Sequence, residues 1–395
     1  MARALEGIKV LDLTRVLAGP YATMILGDMG AEIIKIEAKG TGDDSRAFGP
    51  YVNGESAYFM SINRNKKSIT MNLKNPEAIR VFKEMVKKVD VVVENFRPGT
   101  MEKLGIGYDV IKEINPSIIY ASASGFGQDG PYSKRAAYDA VVQAMGGIMS
   151  ITGQEGGLPT RVGTSVGDIT AGLFCAIGIL GALCCRDRTG IGQAVDVAML
   201  DCQVAILENA ISRYLVNGII PAPQGNRHPS IVPFETFETS DSNIMVSAGN
   251  DKLWASYCKV IGREELINDP RFVTNPLRLE NYAVLRPIIA EEMKKKSLAE
   301  WSALLDEAGV PQSPVNNVAM VIDNPQVKAR DMIVSVEHPV AGTVKMPGIP
   351  IKLSETPSEI KTAAPVLGAN TADILKDLLG MSDDEVSALK ECGAV

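Results

Sequence analysis

The feature that most constrains this chain is an uncharged run of 17 residues, 169–185, directly after Asp168. Read as a helix, the run is apolar on every side, which predicts a buried helix with Asp168 at its N-terminus. The helix dipole and free N–H groups there favour an anion, and an ordinary aspartate pKa of ~4 keeps the carboxylate ionised at pH 7. Gly167 leaves room for another molecule to approach the backbone. Asp168 is therefore either a helix cap or a carboxylate nucleophile, which needs no partner base.

Composition sets the class of protein. The 395 residues are 46% hydrophobic and 22% charged, which is typical of a globular chain with two domains. A net charge of −7 disfavours a broad surface for nucleic acid or anionic membranes. The run 169–185 is just shorter than a typical membrane span, and its three glycines and polar flanks favour a buried helix in a soluble protein.

The few histidines and the pattern of cysteines narrow the chemistry. Only His228 and His338 are present, so a histidine-based metal site or a Ser-His-Asp relay is hard to build, and we expect no metal. The six cysteines form no C-x-x-C pair, which predicts reduced thiols. The first residues lack the features of a signal peptide, and together these observations predict a cytoplasmic protein.

Short apolar strands alternate with helices through the first half of the chain. The predicted strands are 8–13, 31–36, 68–72, 91–93, 118–122 and 194–199, and the predicted helices are 21–29, 76–88 and 200–217. This alternation indicates an α/β fold with a mostly parallel sheet covered on both faces.

A change of composition suggests where the first domain ends. Residues 218–233 are rich in proline and polar side chains and predict a linker. Residues 234–325 predict a smaller α+β domain, and 326–334 a return linker. The large domain then comprises 1–217, completed by 335–395, where we expect a β stretch near 334–346 and a helical tail at 369–390.

The opening β-α-β pattern imitates half of a dinucleotide-binding fold, with Glu37 where such folds bind ribose. The segment between the first predicted strand and helix, residues 14–21, has one glycine instead of the G-x-G-x-x-G fingerprint. A backbone without that turn cannot cradle a pyrophosphate in the same way, so NAD binding is disfavoured and no cofactor is expected.

Several motifs together are more specific than any single one. They are GIKVLD at 7–12, RVLAGP at 15–20, GAEIIKIE at 30–37, NKKSI at 65–69, ENFRPG at 94–99, SGFG at 124–127, and the segment around Asp168. In this order and spacing the chain resembles the family III CoA-transferases, the formyl-CoA:oxalate CoA-transferase family, over essentially its whole length. The resemblance implies a Rossmann-like large domain, a smaller second domain and a homodimer of interlaced chains.

The same resemblance implies that Asp168 is the nucleophile. Its carboxylate would attack an acyl-CoA carbonyl to give a mixed anhydride and CoA thiolate, and the thiolate would return to give an aspartyl-CoA thioester. A second carboxylic acid would then receive the CoA. This chemistry uses acyl-CoA and a carboxylate as substrates and needs neither histidine nor metal.

The resemblance also implies a CoA site. It comprises Arg15, Val16, Leu17, Ala18, Ala38, Met71, Lys74, Asn95, Phe96, Arg97, Lys103, Leu104 and Tyr138. Residues 16–18 match a pantetheine channel, Lys74 matches the phosphate end, and the Tyr138 phenol matches a group that polarises the thioester oxygen. The alternatives are a turn that merely packs, a solvated lysine and a core tyrosine.

Departures from the family pattern bear on substrate choice. Formyl-CoA:oxalate transferases carry Gln at Leu17, an adenine-side Arg at Ala38, and consecutive glycines where this chain has Ala-Gly-Asn-Asp at 248–251. The segments 225–229, 232–234 and 249–253 look more like the acetyl-CoA:oxalate CoA-transferase branch. We therefore expect acetyl- or succinyl-CoA as donor and a small dicarboxylate such as oxalate as acceptor.

Candidates to bind the acceptor are Arg46, Arg161, Arg227, Gly249 and Asn250. For each arginine, a structural salt bridge is the competing interpretation.

Three other functions remain to be weighed. The donor could be formyl-CoA. An α-methylacyl-CoA racemase would need histidine in place of Tyr138, because a phenol with an ordinary pKa of ~10 does not move a proton at neutral pH. The third alternative is a CoA-binding protein without catalytic activity.

Overall fold

The computed structural model describes residues 3–395. The strands are β1 (Lys9–Asp12), β2 (Glu32–Glu37), β3 (Tyr51–Val52), β4 (Glu55–Ser56), β5 (Lys66–Thr70), β6 (Val91–Glu94), β7 (Ile119–Ser124), β8 (Ala194–Ala198), β9 (Phe234–Glu238), β10 (Asn243–Ser247), β11 (Gln312–Pro314), β12 (Ile333–His338) and β13 (Gly342–Pro347).

The α-helices are α1 (Ala18–Asp28), α2 (Ala57–Ile62), α3 (Pro76–Val86), α4 (Thr100–Lys103), α5 (Tyr108–Ile114), α6 (Asp139–Met145), α7 (Ile148–Ile151), α8 (Val166–Thr189), α9 (Met199–Ile206), α10 (Glu208–Asn217), α11 (Asp251–Val260), α12 (Asn275–Glu280), α13 (Tyr282–Met293), α14 (Leu298–Glu307), α15 (Val318–Asp323), α16 (Pro325–Ala329), α17 (Thr371–Leu379) and α18 (Asp383–Glu391).

Six parallel strands form the central sheet in the order β5-β2-β1-β6-β7-β8. The chain runs outward through β2 and β5 on one side of β1, then through β6, β7 and β8 on the other. The β1–β6 boundary is therefore the topological switch point, where open α/β sheets place their ligand crevice. The predicted α/β class with a mostly parallel sheet is confirmed.

Helices cover both faces of this sheet. One face carries a core in which α3, α5, α17 and α18 pack on the strands, and α1 and α8 pack on the other. Burial on both faces explains why the strand Val91–Val93, fully shielded from solvent, is an uninterrupted apolar run instead of an alternating one.

Two compact units divide the chain. The larger takes residues up to Met149, Arg161–Ile219 and Pro325–Val395, and the smaller takes Ser150–Thr160 and Ile220–Asn324. The smaller unit contains the antiparallel sheet β11-β10-β9 and its own apolar core around Trp254, Tyr257 and Trp301. Residues 150–160, which the sequence placed in the large domain, belong to this smaller unit.

One predicted helix is divided in the structure. The helix expected at 200–217 is two helices, α9 and α10, because Glu208 has a φ of +20° and interrupts the turn. The β stretch expected near 334–346 is confirmed as the hairpin of β12 and β13, and the helical tail expected at 369–390 is confirmed as the helix pair α17 and α18.

Helix α8 is longer and less enclosed than predicted. Its charged last turn continues to Arg188 because basic side chains suit a helix C-terminus, and only one face is buried. Leu173, Phe174 and Ile177 are exposed on the other face. By length and composition alone α8 qualifies as a membrane span, and 44% of its most apolar window is buried within the chain. The expectation of full burial was wrong for a single chain.

Candidate functional site

A cleft of about 210 Å³ lies at the carboxyl ends of β1, β6 and β7, beside the switch point. We call it the Asp168 cleft. Its lining includes nine residues singled out from the sequence, namely Arg15, Val16, Leu17, Ala18, Asn95, Phe96, Arg97, Tyr138 and Asp168. The structure therefore brings the proposed nucleophile and the predicted pantetheine turn into one cavity.

The first wall of the cleft is the turn after β1, residues 13–17, called here the first turn. Val16 adopts a φ of +67°, a left-handed conformation that a β-branched residue rarely accepts. Such a residue costs on the order of 1–3 kcal/mol and persists only when its surroundings fix it. The turn then enters α1 without a side-chain cap, since Leu17 occupies the N-cap position.

A buried charge network lies directly under the first turn. Asp12 accepts hydrogen bonds from the Thr14 backbone N–H at 2.9 Å and the Thr23 hydroxyl at 2.7 Å, and pairs with Lys66 at 3.0 Å. Burial alone would raise the pKa of Asp12, but Lys66, Lys35 and these hydrogen bonds lower it well below its usual range. This carboxylate is fully committed to structure.

The second wall of the cleft is the start of α8. Asp168 is the third residue of this helix, with Ser165 at the N-cap, so Asp168 is not the helix cap. One turn further on, a Cβ at Gly172 would lie 2.7 Å from the Ala18 carbonyl oxygen. Only glycine permits this approach of α8 to α1, and the approach puts Asp168 beside the first turn.

The Asp168 carboxylate makes no hydrogen bond and no ion pair with any residue in the described range 3–395. Burial, followed by the negative charge of Asp139, raises its pKa from 3.8 to about 7. The sequence-based expectation of an ordinary pKa was therefore wrong, because desolvation and a like charge act on the group. A half-buried carboxylate without partners, facing a cleft, keeps its oxygen lone pairs available for reaction.

Asp139 is the main residue that sequence reasoning missed. It is buried at the first position of α6, and its carboxylate accepts the Gly167 N–H at 2.9 Å and the Gln143 amide at 2.7 Å. A Cβ on Gly167 would stand 3.1 Å from that carboxylate. The space that Gly167 leaves is therefore used by the chain's own Asp139, a long-range contact that no local sequence pattern signals.

Two tyrosines relate differently to this site. Tyr138 lines the Asp168 cleft and is 75% exposed, so it is not a core tyrosine. Tyr58 is half-buried and stacks edge-on against Phe48 with ring centroids 5.5 Å apart. Burial and the charge of Asp168 raise the pKa of Tyr58, so its phenol remains a hydrogen-bond donor within electrostatic reach of Asp168.

A second cleft of about 620 Å³ adjoins the first and shares Arg15 and Phe96 with it. We call it the Lys74 cleft. Other predicted CoA residues in its lining are Ala38, Met71, Lys74 and Leu104. Lys103 is exposed at the end of α4, next to Leu104. The two clefts therefore meet at Arg15 and Phe96, next to the first turn.

The five acceptor-binding candidates belong to both compact units, two to the larger and three to the smaller. Arg46 pairs with Glu37 at 2.7 Å and lies over the Phe59 ring, while Arg161 lies 3.5 Å from Asp139. Arg227, Gly249 and Asn250 belong to the smaller unit. There Arg227 stacks on Tyr282, and Asn250 caps α11. Their role in acceptor binding stays a prediction.

Among the residues that line the Asp168 cleft, Arg97 and Arg135 carry guanidinium groups with no ion pair to any residue of the described chain. Arg135 was not singled out from the sequence. It lies over the Tyr132 ring at 4.5 Å.

Comparison with known proteins decides the family. The model of the family described as CoA-transferase family III matches residues 5–371 of this chain. This chain belongs to CoA-transferase family III. It is an enzyme of that family, and the resemblance drawn from the sequence motifs is confirmed.

Named transferases are similar to this family III chain over nearly all of its length. Human succinyl-CoA:glutarate CoA-transferase is 42% identical over 394 residues, which span 100% of this chain and 90% of the human protein. The acetyl-CoA:oxalate CoA-transferase of Acetobacter aceti is 45% identical over 375 residues, spanning 94% of this chain and 95% of that protein.

A solved structure of the family supports the fold. A CaiB/BaiF family protein from Brucella suis is 39% identical and superimposes with a TM-score of 0.85, covering 96% of this chain and 100% of the other. The family III assignment therefore rests on sequence motifs, sequence identity and backbone geometry together.

Proposed function

We propose that this family III enzyme moves CoA from a short acyl-CoA, acetyl- or succinyl-CoA, to a small dicarboxylic acid such as oxalate. The observation that carries the proposal is the Asp168 carboxylate, which has no partner in the described chain and faces the first turn across the Asp168 cleft. A nucleophile of this kind accepts an acyl group without a base to activate it.

The first two steps load the enzyme. An Asp168 oxygen attacks the thioester carbonyl carbon, the C–S bond breaks, and CoA leaves as a thiolate from an acyl-aspartyl anhydride. The thiolate then attacks the aspartyl carbonyl carbon, the anhydride C–O bond breaks, and the donor acid leaves as a carboxylate. The enzyme now carries an aspartyl-CoA thioester, and no proton has been gained or lost.

The same two steps run in reverse with the acceptor. An acceptor carboxylate oxygen attacks the aspartyl carbonyl and displaces the thiolate, which attacks the acceptor side of the new anhydride. This releases acyl-CoA and restores the Asp168 carboxylate. Free CoA must stay in place between steps, so the walls that hold its arm matter as much as the nucleophile.

We propose that the two clefts hold the two ends of such a substrate. We propose that residues 16–18 line the pantetheine arm and that Lys74 and Lys103 meet the phosphates, since ammonium groups suit phosphate oxygens as point charges. The exposed phenol of Tyr138 would donate to the thioester oxygen as negative charge develops there.

The choice of substrates is supported by the relatives and by Leu17. The named relatives use succinyl-CoA or acetyl-CoA with the dicarboxylic acids glutarate or oxalate. Leu17 is 8% exposed and presents an apolar side chain to the Asp168 cleft. A donor with a methyl or methylene group suits that wall better than a formyl group, which has none.

We also propose that the active form is a homodimer of interlaced chains. The exposed apolar face of α8, with Leu173, Phe174 and Ile177, is unusual on the surface of a monomer, and α10 exposes Leu215 and Val216. A second copy of the chain would bury these side chains. Light scattering of the purified protein should then give a molar mass twice that of one chain.

The deciding experiment is a matrix of donors and acceptors with the CoA esters resolved by mass. Acetyl- or succinyl-CoA with oxalate or glutarate should give the highest kcat/KM, and a preference for formyl-CoA would overturn the substrate proposal. Hydroxylamine added with acyl-CoA should modify only the peptide that contains Asp168. Asp168→Ala should lose this modification and at least about 10⁴-fold of kcat; turnover that survives the substitution would exclude the anhydride.

A further inference from the structure

The peptide bond between residues 15 and 16 is held at both of its polar ends by side chains from other parts of the chain. The Asn95 side-chain amide donates to the Arg15 carbonyl oxygen at 2.7 Å, and the Asp43 carboxylate accepts the Val16 N–H at 3.0 Å. The orientation of this peptide sets ψ of Arg15 and φ of Val16. The two contacts therefore bear directly on the left-handed conformation of Val16.

Asn95 also accepts the Arg15 N–H at 2.8 Å, so its amide pairs with both backbone polar groups of one residue, as a neighbouring strand would. It follows β6, whereas Arg15 follows β1, so this pairing bridges the switch point of the sheet. The Asn95 amide group is thus engaged by the protein itself, although the position was predicted to contact ligand.

Asp43 is in turn fixed by a buried cation. Its carboxylate is 2.9 Å from the Lys35 ammonium, and it accepts the Ser45 N–H at 2.9 Å and the Ser45 hydroxyl at 2.8 Å. Lys35 also donates to the Thr14 carbonyl oxygen at 2.7 Å. Lys35 and Asp43 are both fully shielded from solvent, so neither can turn away to water.

We propose that Asn95 and Asp43 form a clamp on the 15–16 peptide and are positioning residues for the transfer reaction. The clamp holds Val16 in its strained conformation, and the strained turn sets the position of the CoA arm against Asp168. This inference rests on the proposed function. It differs from direct ligand binding by Asn95, because a positioning role affects the alignment of the thioester more than the affinity for CoA.

The structural test is a crystal structure of the Asn95→Ala variant, in which the backbone conformation of Val16 is measured. Without the amide, the 15–16 peptide should rotate and φ of Val16 should return to a negative value, since an unsupported β-branched residue leaves the left-handed region. An unchanged peptide with φ near +67° would overturn the clamp whether or not the protein transfers CoA. If the unsubstituted protein has no transferase activity, a rotated peptide in the variant would keep the clamp while the proposed function is overturned.

The kinetic test separates positioning from binding. Asn95→Ala should lower kcat between about 10-fold and 100-fold and change the Kd for CoA less than threefold. A loss confined to KM, with kcat intact, would make Asn95 a ligand contact and overturn the positioning role.

The rescue test removes the backbone strain at residue 16. Glycine adopts positive φ without a Cβ penalty, so in a Val16→Gly background the further substitution Asn95→Ala should lower kcat no more than about threefold. An equal loss in both backgrounds would mean that Asn95 acts independently of the Val16 conformation.

Asn115→Ala is a matched control for lost hydrogen bonds. The Asn115 amide likewise holds two backbone carbonyl oxygens, those of Val86 and Val89, in the same unit but outside both clefts. Its loss should lower the melting temperature and leave kcat within twofold of the unsubstituted enzyme. A large loss of kcat in this control would mean that general loosening explains the Asn95 result.

Discussion

Two aspartates of the same compact unit, Asp12 under the first turn and Asp168 opposite it, have opposite surroundings. Asp12 is fully buried, pairs with Lys66 and accepts hydrogen bonds from threonines, and its pKa is held well below the usual range. Asp168 has no partner in the described chain, and burial and Asp139 raise its pKa to about 7. The described chain supplies hydrogen-bond donors and a cation to the Asp12 carboxylate and supplies neither to the Asp168 carboxylate.

This contrast distinguishes a carboxylate that the fold uses, Asp12, from one that the fold leaves without partners among the described residues, Asp168. A buried carboxylate with hydrogen-bond partners stabilises the fold. A buried carboxylate without partners destabilises the fold, and its lone pairs remain available for reaction. The same substitution should therefore have opposite effects on stability at the two positions.

The largest effect on stability is expected for Asp12→Asn. The amide removes the negative charge that compensates Lys66 and Lys35, and a buried cation without its partner typically costs about 3–5 kcal/mol. Urea unfolding at fixed protein concentration should show this loss. Asp187→Asn, whose side chain is 71% exposed, is the control and should change the free energy of unfolding by less than about 0.5 kcal/mol. A loss at Asp12 no larger than in this control would break the contrast.

A smaller effect of opposite sign is expected for Asp168→Asn. Because the folded-state pKa of about 7 lies above the ordinary value of 3.8, the folded chain binds the proton more tightly, and the ionised group opposes folding above pH 7. Removing the charge should raise the free energy of unfolding at pH 8 by about 2 kcal/mol, after allowance for solvent screening in the open cleft.

The gain from Asp168→Asn should shrink as the pH falls from 7 towards 4. The Asp168 carboxyl group of the folded parent is then protonated, and so it is as uncharged as the amide that replaces it. Urea unfolding at pH 8, 6 and 4 measures this trend. A variant that is less stable than the parent at pH 8 would show that Asp168 has a stabilising partner after all.

The smallest effect is expected for Asp139→Asn, which sharpens the contrast by testing its cause. Asp139 is the second contributor to the raised pKa of Asp168, after burial. Its loss should move the acid limb of the kcat/KM profile, expected near pH 7, down by about one pH unit. The limb should stay in place in Asp187→Asn, and an upward move in Asp139→Asn would contradict the electrostatic account.

Much of the fold followed from local pattern. The buried strand β6 is a continuous apolar run over Val91–Val93, and α3 begins at Pro76 as its proline and outer charges predict. The break between α9 and α10, and the open face of α8, did not follow. A helical pattern extends through residues 200–217 without revealing the backbone strain at Glu208, and apolar composition does not say which partner covers a helix.

The site was predictable only through residues whose types are informative in themselves. Asp168 is conspicuous beside an uncharged helix. The raised pKa, by contrast, depends on Asp139, which is 29 positions away and is brought close by the fold. The positive φ of Val16 is equally hidden, because valine is among the residues that least favour it and long-range contacts fix it there.

The contact between Gly172 and the Ala18 carbonyl has a consequence for how this architecture diversifies. Because backbone meets backbone there, the spacing of the two helices that lie beside Asp168 cannot be tuned by exchanging side chains at the crossing. We therefore expect adaptation to different substrates to occur at the remaining borders of the Asp168 cleft, such as Leu17 and the loop that carries Arg135. The distance between the two helices at this crossing is fixed by their backbones, and we expect new substrates to be accommodated by changes in the loops around it.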